Sequence, residues 1–175
     1  MLFWTLTILV LAILALLAYA WMKPDDFETR RTMSIAAPPV KIFPLISDLR
    51  AFNTWNPFVQ SDPGNRGTYS GPAGGKGAAY AFEGGKSGSG RFVITGATPP
   101  NKLVMDLNMF KPFRGDNVVE FTLKPNASAT TDVTWAMRGK STFVPRLMGV
   151  FMNMDEMVGG QFAKGLANLK ALAEK

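Results

Sequence analysis

The chain has 175 residues and a net charge of +6, with 19 Lys and Arg against 13 Asp and Glu. That length is enough for one domain with a real core plus one extra segment. Cysteine and histidine are both absent, which excludes a disulfide framework and thiol chemistry and removes the commonest general base and transition-metal ligand. The basic residues are scattered rather than massed into a run, so no nucleic-acid partner is expected. No metal or cofactor is expected either.

Residues 1–22, from Met1 to Met22, carry no charge. At about 1.5 Å per residue they reach about 33 Å, enough to cross the hydrocarbon core of a bilayer. Trp4, Tyr19 and Trp21 sit near the ends, where interfacial aromatics prefer to lie. A single-pass membrane helix over 1–22 is therefore expected, with a linker at 23–26 and a folded domain over 27–175. Lys23, Arg30, Arg31 and Lys41 follow the span, a bias that favours the cytoplasmic side for that domain. The rival reading is export after cleavage near Ala20, since Ala18-Tyr19-Ala20 has the A-x-A form. No Lys or Arg precedes the apolar run, which argues against it.

Residues 27–36 alternate as a strand with one buried face does. Pro38-Pro39 opens a helix, where proline is tolerated in the first turn. Pro44 interrupts it, so a kink or a very short helix is expected. A second short helix over 49–54 ends at Trp55-Asn56-Pro57, because the residue before proline avoids helical geometry. From Ser61 to Gly90 glycine, proline, serine and asparagine dominate, with short strands at 68–70 and 78–83. Four clearer strands follow at 91–97, 102–109, 117–124 and 130–138. Close spacing without intervening helices predicts an antiparallel meander. Tyr80 and Phe82 share a face, as do Leu103, Met105 and Leu107; Val119, Phe121 and Leu123; and Val133, Trp135 and Met137. The alternate positions hold Asp106, Glu120, Thr122 and Asp132, so one side of the sheet is packed and the other wet.

The last stretch, 146–174, reads as one long amphipathic helix. Phe151, Met154, Val158, Phe162, Leu166, Leu169 and Leu172 recur at steps of three and four. Each large member, once buried, contributes about 1.5 to 3 kcal/mol gross. Only a broad apolar surface can accept such a stripe, and the packed side of the sheet is one. The predicted architecture is α+β: a curved antiparallel sheet wrapped around a long C-terminal helix, with an N-terminal transmembrane helix in front. Gly159-Gly160 inside that helix is unfavourable by about 1 kcal/mol per residue relative to alanine. A bend or close backbone packing would justify it.

Gly85-Lys86-Ser87 matches the end of a phosphate-binding loop, but Tyr80 stands where its first glycine should be and a strand follows. A glycine hairpin explains it better. Asp155 lies at the edge of the apolar stripe. It either faces inward, to hold a polar ligand atom or act as an acid–base group, or it caps the helix, pairs with Arg138 or Arg146, or looks out at the margin. The aromatic and methionine side chains form a large apolar stock, and for any single one of them the reading is simple core. Part of that stock is expected to line a ligand cavity. The candidate lining residues are Trp55, Phe58, Tyr80, Phe82, Met105, Trp135, Met137, Phe151 and Asp155.

The order strand, two small helices, antiparallel meander and terminal helix resembles the START-like (SRPBCC) superfamily. Within it, the polyketide cyclase/dehydrase and lipid-transport family is most similar. The residues that carry the resemblance are Arg31 to Phe43, Asp48-Leu49 with Trp55 to Phe58, Gly88 to Ile94, Met154 to Phe162 and Gly165 to Lys170. The resemblance implies a helix-grip fold with a hydrophobic cavity and a hydrophobic small molecule or lipid as partner. It carries no catalytic set onto this chain. Three functions follow as expectations. The first is membrane-anchored binding of an apolar molecule between sheet and helix. The second is a cyclase or dehydratase that moves protons with carboxylates and Tyr80, against which the absence of histidine counts. The third is a scaffold whose outer surface binds a partner.

Overall fold

A computed structural model describes residues 2–127 and 129–175; Met1, the first residue of the expected span, lies outside them. The first element is helix α1, Leu2–Met22. It is uncharged, long enough and apolar enough to cross a membrane, and exposed along most of its length. Strand β1, Asp26–Ile35, follows after three residues. Three short helices come next: α2, Pro39–Ser47; α3, Leu49–Trp55; and α4, Pro57–Gln60. Pro39 occupies the first turn of α2, and Pro44 sits inside it with Phe43 and Ile46 buried on either side. Asp48 caps α3, accepting from the N–H groups of Arg50 (2.8 Å) and Ala51 (3.4 Å).

Six strands then form the meander: β2, Arg66–Ser70; β3, Ala79–Glu83; β4, Ser89–Thr98; β5, Lys102–Lys111; β6, Gly115–Pro125; and β7, Thr131–Lys140. The sheet order is β1-β7-β6-β5-β4-β3-β2, antiparallel throughout. The chain's first strand therefore closes on its last, with Asp26 opposite Lys140 and Ile35 opposite Thr131. Register shifts between Ser89 and Gly90 and between Ile94 and Gly96 mark bulges in β4, the feature that bends a strand and deepens its twist. The alternation expected from sequence holds: Leu103, Met105, Val119, Phe121, Leu123, Val133 and Trp135 all face the buried side.

The single long terminal helix needs correction. Two helices occupy the stretch, α5 at Phe143–Phe151 and α6 at Met154–Ala173, broken at Met152 and Asn153. Asn153 takes an extended conformation, and its side chain accepts from the Glu156 N–H at 3.2 Å, so a new helix starts there. α6 lays Phe162, Leu166 and Leu169 into the core and rests mainly on β1. Its C-terminal half is tied down by polar bonds: Asn168 donates to Trp55 O (3.1 Å), Lys170 to Ser34 O (2.9 Å), and the Ala36 N–H to Glu174 Oε1 (2.7 Å). The result is α+β, an open antiparallel sheet gripping a C-terminal helix.

Candidate functional site

The space between α6 and the sheet is filled at one end and open at the other. At the filled end Phe52 packs edge-on against Trp55, Phe121 and Trp135, with ring centroids 4.9 to 6.1 Å apart. Trp55 is fully buried and donates from Nε1 to Leu45 O at 2.9 Å. Toward the other end, under the N-terminal half of α6, lies a cavity of about 530 Å³. Its walls come from the start of β1, from α4, from the concave face of β3 to β7, from the β5–β6 turn, and from α5 and α6. That volume falls in the range of small-molecule sites, and the lining is mostly apolar with a few polar groups, as such sites require.

Six of the nine expected lining residues meet in this cavity: Phe58, Tyr80, Phe82, Trp135, Met137 and Asp155. Trp55 and Met105 do not. Both are fully buried in the aromatic and aliphatic core, one layer deeper than the cavity wall. Alternation assigns a face of a strand, not a depth along it, and Met105 shares its face with Leu107, which does line the cavity. Phe151 does not line it either. It ends α5, beyond the helix break, and is 72% exposed. Phe27, Asn65, Met109, Phe113 and Val158, none of them among the nine, also stand in the wall. Val158 was findable, since it lies one turn before Phe162 on the same stripe.

The polar groups of the site are distinct in character. Trp135 is 2% exposed; its indole stacks on Phe162 at 4.3 Å and 10°. Its Nε1–H is buried and has no hydrogen-bond partner among the described residues. A buried donor left so is unfavourable unless something accepts from it. Burial pushes the Tyr80 phenol up from its ordinary pKa, so it stays protonated at neutral pH. Asp155, in the first turn of α6, pairs with Arg31 of β1 rather than Arg138 or Arg146. Arg31 Nη2 lies 3.0 Å from Oδ2, and Nη1 lies 3.3 Å from Oδ1. The guanidinium holds the Asp155 carboxyl below the usual carboxylate range. Gly159 makes the pair possible, because a Cβ there would strike the Arg31 guanidinium.

Asp62, between α4 and β2, is a second carboxylate with fixed partners. It is buried, and its Oδ2 accepts from the N–H groups of Lys86 and Ser87 (both 2.9 Å) and from the Ser87 hydroxyl (2.8 Å). These bonds hold the Asp62 carboxyl below its usual range. They also pin the β3–β4 turn, whose Lys86 and Ser87 border the cavity. Among the described residues, no three acidic side chains come close enough together to hold a metal ion.

Solved structures of the same shape are numerous. A protein of Chromobacterium violaceum aligns at TM-score 0.62 and 19% identity, over 87% of this chain and 99% of its own. One of Nitrosospira multiformis aligns at 0.60 and 15%, over 83% and 94%. One of Thermobifida fusca aligns at 0.60 and 20%, over 83% and 92%. At such identities the likeness establishes the fold alone. A search of curated proteins by sequence returns no match. The family profile described as polyketide cyclase / dehydrase and lipid transport matches residues 26–174. That match begins where β1 begins and ends one residue past α6, so it spans the sheet, the gripped helix and the cavity between them: the chain belongs to the polyketide cyclase/dehydrase and lipid-transport family.

Proposed function

We propose that this protein is anchored in a membrane by α1 and binds an apolar small molecule or lipid in the cavity beneath the N-terminal half of α6. The observation that carries the reading is the cavity itself: about 530 Å³, mostly apolar, and walled by residues from nine different elements. Shape-matched burial of apolar surface supplies affinity, at about 25 cal/mol per Å² removed from water. Orientation comes from few polar groups. Polar side chains of the lining, among them Asn117, Ser141 and Thr142, offer hydrogen bonds to such a ligand. Asp155 is committed to Arg31, so it serves as a fixed carboxylate rather than as a proton donor. That weighs against the cyclase or dehydratase reading. The family's description, which includes lipid transport, agrees with a binding role. The positive bias after α1 favours the cytoplasmic side.

The test is organic extraction of the full chain purified from its host, followed by mass spectrometry, alongside the cavity-filling variant Val158→Trp. The wild-type protein is expected to release an apolar compound in near-stoichiometric amount. The variant, with an indole in the cavity, is expected to release little. Wild-type protein that yields nothing and fails to bind a fluorescent fatty acid would overturn the reading.

A further inference from the structure

Helix α5 is unusual for this molecule. None of its nine residues is buried, yet Val144 and Phe151 are large, apolar and exposed, as is Met152 just beyond it. It is not loosely held. Lys23 donates to Gly149 O at 2.8 Å, and Arg146 reaches back to the carbonyls of Lys23 (3.3 Å) and Trp21 (3.4 Å). The Trp21 and Phe143 rings meet at a tilt, with centroids 6.1 Å apart, and the Arg146 guanidinium lies over the Trp21 ring. These bonds hold α5 at the level where α1 ends. If α1 spans a bilayer, Trp21 to Lys23 marks the interface, and α5 lies at headgroup depth.

The cavity adjoins α5: Ser141, Thr142 and Pro145, at and just before its start, stand in the cavity wall. Phe27 is in the cavity wall and only five residues after Met22, no more than about 18 Å away even fully extended. Phe113 from the β5–β6 turn and Met157 from α6 flank the opening, and both are exposed in part. An apolar rim around an apolar cavity is poorly suited to water. The charges nearby fit an anionic surface. Lys23, Lys86, Arg114 and Arg146 form no ion pair among the described residues; of the nearby acids Asp25, Glu28 and Asp155 are engaged by Lys140, Arg30 and Arg31, while Asp26 and Glu156 are not, which leaves the free cations in excess.

We propose that α5, with Phe113 and Met157, docks on the surface of an anionic lipid bilayer, so that the cavity mouth opens into the lipid. An apolar ligand then passes between bilayer and cavity without crossing water. Lys23, Arg114 and Arg146 meet phosphate headgroups, while Phe151 and Phe113 reach the acyl boundary. This inference rests on the anchoring reading above and adds a second, independent contact with the membrane.

The chain has no cysteine, so single labels can be placed in the full-length protein. Phe151→Cys, Phe113→Cys and, at the far end of the sheet, Asn101→Cys would each carry a bimane. The proteins would be reconstituted in phosphatidylcholine–phosphatidylglycerol vesicles containing doxyl-labelled lipid. Labels at 151 and 113 are expected to be quenched at least about twofold more than the label at 101. Equal quenching at all three sites, with the protein retained through an alkaline carbonate wash, overturns the docking and leaves the anchor standing. Equal quenching together with release by carbonate removes both. Cross-linking between copies at 151 in place of lipid quenching assigns the face to a second copy and likewise overturns the proposal.

Discussion

Two of the three glycines in α6 make a sharp test of how the helix is gripped. Gly160 is exposed, and a Cβ there meets nothing within 4 Å. At Gly165 a Cβ would sit 2.6 Å from Trp135 Cζ3 and 3.0 Å from Pro57 Cδ. Neither neighbour is the free end of a flexible chain. Trp135 is stacked on Phe162, and Pro57 opens α4. Replacing either glycine by alanine gains helix propensity of about 1 kcal/mol. At Gly160 that gain should appear whole. At Gly165 it is opposed by an overpacking penalty of about 1 to 3 kcal/mol, which leaves the variant between neutral and about 2 kcal/mol less stable. The two variants should therefore differ by about 1 to 3 kcal/mol. With a urea slope near 2 kcal/mol per M, their midpoints should separate by roughly 0.5 to 1.5 M. Circular dichroism of the full chain in detergent, titrated with urea, reads this directly. If Gly165→Ala is stabilised as much as Gly160→Ala, α6 does not press on Trp135 and the grip described above is wrong.

Gly159→Ala should displace Arg31 and free Asp155. Its stability should change little, because the propensity gain of about 1 kcal/mol offsets a half-exposed ion pair, while the Asp155 carboxyl moves back toward its ordinary pKa in an NMR titration. An unmoved Asp155 would refute the steric link between the two. Asp62 has a folded pKa lower than its unfolded value. Its contribution is thus complete above the ordinary carboxylate pKa of about 3.9 and is lost as pH falls through the lowered folded value. Asp62→Asn should be less stable than wild type at pH 6, and the gap should narrow toward pH 2; urea curves that stay parallel across that range exclude the clamp.

The sheet was legible because period-two alternation is a strong signal where one face is buried. Leu103, Leu123, Val133 and their neighbours each point where the pattern says. The gripped helix was legible for the same reason at period 3.6. Its break was not, because Phe151 and Met154 keep the three-residue step across it. The capping pattern Asn153 to Glu156 was present in the sequence and marks the true start. The site was half legible. Residue type told which side chains are apolar and on which face, but the boundary between filled core and open cavity depends on three-dimensional volume. Trp55 and Met105 fell on one side of that boundary, Tyr80 and Met137 on the other. The partner of Asp155 was hidden because Arg31 lies 124 residues away, reached only through the space that Gly159 leaves.

The pairing of β1 with β7 has a consequence for biosynthesis. Asp26 leaves the ribosome directly after α1, but its partner Lys140 follows 114 residues later. At about 5 to 20 residues per second, that interval is roughly 6 to 23 s. Throughout it, a ten-residue strand with open backbone groups waits without its partner. Translation that stalls before β7 leaves nothing to seal that edge, so premature termination yields a sticky fragment rather than a smaller folded protein.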